Sequence, residues 1–225
     1  MEPVGDGPAV VYVGGALNDR RSAPPLPGFR VYAYDRRGRG DSGDTQPYAV
    51  AREVEDLAAV IDAAGGAAMV YGMSSGAVLA LRAAAAGVPI TRLALYEPPL
   101  TAPDPDYTAR LATASPAEAL ELFLGTVMGM PAEALAAMRE SRAWPALAVL
   151  APTLRYDNEV MILDGLPTTT VPTVIMTGGA SPEWMHEAAR RLAAHLPDAT
   201  TVRLPGQTHD VDPVVLGEAL RTAFA

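Results

Sequence analysis

The pentapeptide Gly72-Met73-Ser74-Ser75-Gly76 constrains this chain more than any other feature. The run before it, Ala67-Ala68-Met69-Val70-Tyr71, is short and apolar and predicts a buried strand. The run after it, from Ala77 to Ala86, is rich in alanine and leucine and predicts a helix. A serine between two glycines at a sharp strand-to-helix turn stands clear of the sheet. The N–H groups of the helix start, and the positive end of its dipole, then face any anion formed beside that serine.

The rest of the chain alternates around this turn. Strands are predicted at Ala9–Val13, Arg30–Tyr34, Arg92–Tyr96, Pro172–Met176 and Thr201–Leu204. A helix is predicted from about Tyr48 to Ala64, because Val50, Val54, Leu57 and Ile61 form one apolar stripe and Gly65-Gly66 ends it. Pro182-Glu183 opens a helix reaching about His195, and Asp212-Pro213 caps the last one. The order of elements predicts an α/β fold with a mainly parallel sheet of about six strands. Residues 100–166 break the alternation. There, helices are expected from the Ser115-Pro116-Ala117-Glu118 capping box, from Pro131, and over about residues 145–158. The expected organisation is a core of residues 1–99 and 167–225 carrying a helical cap of residues 100–166.

Composition excludes whole classes of chemistry. There is no cysteine, hence no disulfide, thiolate metal site or thiol nucleophile. All 17 basic residues are arginine, so no lysine is available for a Schiff base or a phosphate-binding loop. The arginine and alanine usage suggests a GC-rich bacterial genome. A net charge of −9 without a basic patch argues against a nucleic-acid partner. No 18-residue apolar run argues against a membrane span, and a cytoplasmic protein is expected. Asp41 and Asp44 stand in an arginine-rich loop without a nearby histidine or glutamate, so they predict loop hydrogen bonds and no metal site.

Four stretches, in order, resemble the α/β-hydrolase superfamily: Val13-Gly14-Gly15, the loop from Tyr34 to Ser42, Gly72-Met73-Ser74-Ser75-Gly76, and Gly206-Gln207-Thr208-His209. The resemblance covers nearly the whole length. It implies Ser74 as nucleophile and His209, in the loop after the last strand, as its base. The other two histidines, His186 and His195, fall on one helix and are expected at its surface. The backbone N–H groups of Ala16 and Ser75 are implied as the oxyanion hole, with Met73 beside the acyl pocket. Gly14 stands where relatives often carry a histidine. Asp35 and Arg36 resemble a structural pair that supports their loop.

The acid of the expected triad is less direct. The site usual in the family holds Ser181, which before Pro182 reads as a helix N-cap. Glu97, at the end of Leu93–Tyr96, occupies the position some members use instead, and is preferred. Ser181, Asp104, Asp106 or a dyad without an acid remain alternatives. The expected activity is serine hydrolysis of a carboxylic ester, lactone or thioester through an acyl-enzyme, without cofactor. The leucine and methionine content of the cap suggests a small-molecule substrate with an apolar portion. A non-hydrolytic rearrangement on the same fold, or a silent binding protein, are the other readings. The short stretch between Gly15 and Phe29 leaves no room for a long helix there.

Overall fold

The computed structural model describes residues 2–102 and 104–225. Six strands form one sheet: β1 (Ala9–Val13), β2 (Arg30–Ala33), β3 (Ala68–Met73), β4 (Ile90–Tyr96), β5 (Thr173–Gly178) and β6 (Ala199–Leu204). Their spatial order is β2-β1-β3-β4-β5-β6, and every neighbouring pair is parallel. Parallel strands need long crossovers, and most of these are helices: α1 (Val50–Ala63), α2 (Ser75–Ala85), α8 (Glu183–His195) and, after the last strand, α9 (Pro213–Ala223). Between β1 and β2 there is only a single 3-10 turn, Arg20–Ser22, as the short spacing requires.

Side chains of a strand alternate between faces, and the core divides accordingly. Val11 and Val13 of β1 join Leu57 and Ile61 of α1 and most of α2 on one face. Val10 and Tyr12 join Leu216 and Leu220 of α9 on the other. Leu57 and Ile61 are fully buried, which stabilises by roughly 2–3 kcal/mol each. The predicted stripe of α1 is thus the face that packs. Glu53, in the same stripe, is buried as well.

Between β4 and β5 the chain is helical: α3 (Pro105–Thr113), α4 (Pro116–Leu122), a π-turn at Phe123–Val127, α5 (Ala132–Arg139), α6 (Trp144–Leu150) and α7 (Leu154–Met161). The capping box of Ser115 and Glu118 forms as expected. Two expectations change. Asp104 caps α3, a helix the sequence reading passes over although Asp-Pro is a start signal. The single helix expected over about 145–158 is two, joined by a 3-10 turn at Ala151–Thr153, where Pro152 interrupts the ladder. These helices have their own apolar cluster, against which Ala16 and Leu17 from the end of β1 also pack.

β1 runs outward to β2 on one side, and the chain then crosses back to β3 on the other. The carboxyl ends of β1 and β3 therefore flank the point where strand order reverses, the crevice in which open α/β sheets bind ligands.

Candidate active site

Ser74 sits at that reversal point. Its backbone has φ 55° and ψ −127°, a conformation costly for any residue with a side chain. It is one of three non-glycine residues with positive φ among those described; the others are Leu17, in the loop after β1, and Glu97, which directly follows β4. The Ser74 N–H is tied to Tyr96 O at 2.9 Å, which holds the strained turn against β4. The surrounding glycines permit close approach. A Cβ on Gly15 would lie 2.9 Å from Ser74 Cβ, and one on Gly76 would run into the carbonyls of Val13 and Gly14. The end of β1 and the start of α2 therefore close around Ser74.

Two backbone N–H groups on the segments that flank Ser74 lack a hydrogen-bond partner among the described residues. Ser75 is the first residue of α2, so its N–H has no partner within the helix. The Ala16 N–H makes no hydrogen bond among the described residues. The turn that presents it is fixed by Asn18, whose Oδ1 accepts from the Gly15 N–H and the Tyr12 hydroxyl at 3.2 Å each.

Glu97 and His209 meet across 112 residues of sequence. His209 Nδ1 lies 2.7 Å from Glu97 Oε2, and Glu97 Oε1 accepts from the Gly178 N–H at 2.8 Å. The Glu97 side chain is fully buried and the His209 side chain 29% exposed. Burial alone would raise the Glu97 carboxyl. The hydrogen bonds from His209 and the Gly178 amide, with the Ser181 hydroxyl close by, outweigh it and hold the pKa below the ordinary glutamate value. An ionised Glu97 accepts from Nδ1–H and leaves Nε2 as the basic nitrogen. Nε2 forms no hydrogen bond among the described residues, to Ser74 or otherwise. The loop of His209 is tied to the sheet by the Tyr96 hydroxyl, which donates to Thr208 O, and by Ala180 N–H to Gln207 O.

The other predicted residues fall out differently. Ser181 is not an N-cap, because α8 begins after Pro182 and the Ser181 hydroxyl is turned inward at Gly178. It is buried and aligned with no hydrogen-bond acceptor. Asp104 is occupied in capping α3, and Asp106 lies in the first turn of that helix. His186 is not at the helix surface. It is 4% exposed, and its Nδ1 pairs with Thr177 Oγ1 at 2.9 Å. His195 is exposed and contacts Thr168 and the Leu166 carbonyl. Met73 is half-buried beside Ser74. Asp41 pairs with Arg20, whereas Asp44 accepts from Tyr156 and Gln46 and forms no ion pair with an arginine among the described residues.

Asp35 and Arg36 both tie their loop down but do not bond each other. Asp35 binds Arg20 and the Asp41 amide. Arg36 is buried in a different ionic cluster. Its Nε and Nη2 meet the two oxygens of Glu53 at 2.7 and 2.8 Å, and its Nη1 meets Asp157 at 2.7 Å. Arg39 Nη2 meets the other oxygen of Asp157 at 2.6 Å. All four side chains are 2% exposed or less. Burial opposes ionisation of Asp157, but Arg39 and Arg36 outweigh it and hold its pKa below the ordinary aspartate value. Sequence reasoning missed this cluster. One signal was available: Glu53 interrupts the apolar stripe of α1 between Val50 and Leu57.

Removing one member of a buried pair leaves an uncompensated charge. Asp157→Ala is therefore expected to cost about 3–5 kcal/mol in urea unfolding. Asp56→Ala breaks the half-exposed pair of Asp56 with Arg37 and is expected to cost less than about 1 kcal/mol.

Among the described residues there is no group of three or more histidines and carboxylates placed to hold a metal, and no helix long and apolar enough to cross a membrane.

A family model described as alpha/beta hydrolase family matches residues 9–221. Among solved structures, an alpha/beta hydrolase from Sphaerobacter thermophilus is 46% identical, with a TM-score of 0.88 over 100% of this chain and 95% of that one. MenH from S. aureus is 18% identical, with a TM-score of 0.71 over 100% and 96% of the two chains. A 2-hydroxy-6-oxo-6-phenylhexa-2,4-dienoate hydrolase from Rhodococcus is 21% identical, with a TM-score of 0.67 over 99% and 92%. The last two likenesses are of fold alone. No curated protein matches the chain.

Proposed function

Because the chain belongs to the alpha/beta hydrolase family, we propose that it is a serine hydrolase that cleaves a carboxylic ester, lactone or thioester. Ser74 Oγ attacks the carbonyl carbon while His209 Nε2 takes its proton. The N–H groups of Ala16 and Ser75 hold the oxyanion of the tetrahedral intermediate. His209 returns the proton to the leaving group, and water, activated by the same nitrogen, then releases the acid from the acyl-enzyme. Glu97 keeps the ring in the required tautomer and stabilises the imidazolium that forms.

The observation that carries this reading is the pairing of a buried Glu97 with His209, in a loop at the same carboxyl end of the parallel sheet as the strained Ser74. The missing contact between Ser74 and the ring does not argue against it, since such bonds often tighten only when substrate is bound. We propose further that the helices of residues 100–166 cap the site. Ala16 and Leu17 pack among their apolar side chains, which favours an apolar group beside the oxyanion donors.

The test is direct. Wild-type protein is expected to gain one adduct mass from a fluorophosphonate and to turn over p-nitrophenyl acetate. A folded protein that does neither overturns the proposal. If an ester substrate is consumed but the product retains its mass, the reaction is a rearrangement instead of hydrolysis.

A further inference from the structure

The two N–H groups assigned to the oxyanion are held from behind by one buried carboxylate. The Gly15–Ala16 peptide is trans and planar, so its carbonyl points away from the N–H it shares a plane with. That carbonyl accepts from Arg39 Nη1 at 2.6 Å. Arg39 cannot easily turn, because every nitrogen of its guanidinium is occupied. Nη1 also reaches Asn18 O at 3.1 Å, Nε reaches Thr153 Oγ1 at 3.1 Å, and Nη2 reaches Asp157 at 2.6 Å. The second donor residue is held by the same carboxylate: Ser75 Oγ donates to Asp157 Oδ1 at 2.7 Å. Arg36 Nη1 joins the set through Gly14 O at 3.2 Å and Ser75 Oγ at 3.4 Å.

We propose that Arg39 is a positioning residue for the oxyanion hole: it pins the Gly15 carbonyl so that the Ala16 N–H faces Ser74, while Asp157 holds Arg39 and Ser75 in register. A cationic donor on the carbonyl also polarises the peptide, which makes the opposite N–H a stronger donor. Asp157 lies on α7, so the helices of residues 100–166 help set the donors at the end of β1. The proposal rests on the hydrolase reading above and adds to it a device that sets the rate of oxyanion formation.

A structural ion cluster alone and a positioning device predict different results for Arg39→Gln, Arg39→Lys and Ser75→Ala in the full chain. With p-nitrophenyl butyrate, Arg39→Gln is expected to lower kcat about 10- to 100-fold, somewhat less than deleting a donor outright. KM is expected to stay within about twofold, since the oxyanion forms only after binding. Affinity for butylboronic acid, whose tetrahedral adduct presents an oxygen to the same donors, should fall by about the factor lost in kcat/KM. Arg39→Lys should recover part of the loss. The amide resonance of Ala16 should move in both Arg39 variants, while those of Val10 to Val13 stay.

A folded Arg39→Gln with wild-type kcat, or an unmoved Ala16 resonance, overturns the proposal. So does a kcat loss accompanied by an equal rise in KM with boronate affinity kept. If Arg39→Gln does not fold, Arg39→Lys and Ser75→Ala carry the test, with a loss of about 3- to 10-fold in kcat expected for each; a cluster in which no variant folds is structural, and the proposal fails. If wild type neither turns over the ester nor reacts with a fluorophosphonate, the hydrolase reading fails, and the Ala16 resonance alone decides whether Arg39 orients that peptide.

Discussion

Replacing Ser74 with alanine is expected to lower kcat by about 10⁴- to 10⁶-fold on any ester the wild type cleaves. In the proposed mechanism the Ser74 hydroxyl forms the acyl bond, so without it no route through the same intermediate remains. The fluorophosphonate adduct should vanish with it. Stability should change little or rise slightly, because the Ser74 side chain makes no hydrogen bond among the described residues and alanine keeps the Cβ that rests on Gly15. Intact-mass labelling with steady-state kinetics, beside a urea unfolding curve, checks both halves. A Ser74→Ala enzyme retaining a tenth of wild-type kcat would remove serine from the nucleophile role.

Glu97→Gln is expected to lower kcat about 10³- to 10⁴-fold with KM nearly unchanged. The amide presents a donor as well as an acceptor to Nδ1, so the ring is no longer held in the tautomer with a basic Nε2, and the imidazolium loses its counter-charge. Ser181→Ala should lose less than about tenfold, because its hydroxyl lies near Glu97 without an aligned hydrogen bond. The reverse ranking would move the acid role to Ser181. The same carboxyl makes a stability prediction. Its folded-state pKa lies below the ordinary 4.5, so its contribution to stability is fully present above that value. It is lost as the pH falls through the folded value. The stability difference between wild type and Glu97→Gln, followed by urea unfolding from pH 6 to pH 3, should therefore narrow below about pH 4.5 in the direction that disfavours wild type.

What the chain says by itself is local. The strand, turn and helix around Ser74 are legible because an apolar run, two glycines and an alanine-rich run each act within a few residues. The α/β class and a mainly parallel sheet of about six strands follow from the order of such elements, and the observed sheet of six parallel strands agrees. The place of His209 after the last strand is equally a matter of order. Helix starts are legible where a side chain caps its own neighbours, as at Ser115 and Asp212.

What only the tertiary structure decides is which distant side chains share a buried space. On paper Glu97 is preferred, with Ser181, Asp104 and Asp106 as rivals; of these four, among the described residues, only Glu97 bonds His209, because β4 and β5 end side by side and the last loop folds over them. His186 reads as a surface residue until α8 packs its ring against Thr177. Arg36, Arg37 and Arg39 stand in one polar loop with nothing local to separate them. Two are buried and one pairs near the surface. A charge enters a protein interior only where opposite charges meet it there. Glu53 comes from α1 and Asp157 from α7, 118 residues beyond Arg39, so the burial of those arginines, and the hold they have on the Gly14 and Gly15 carbonyls, exist only once β1, α1, α2 and α7 are packed together.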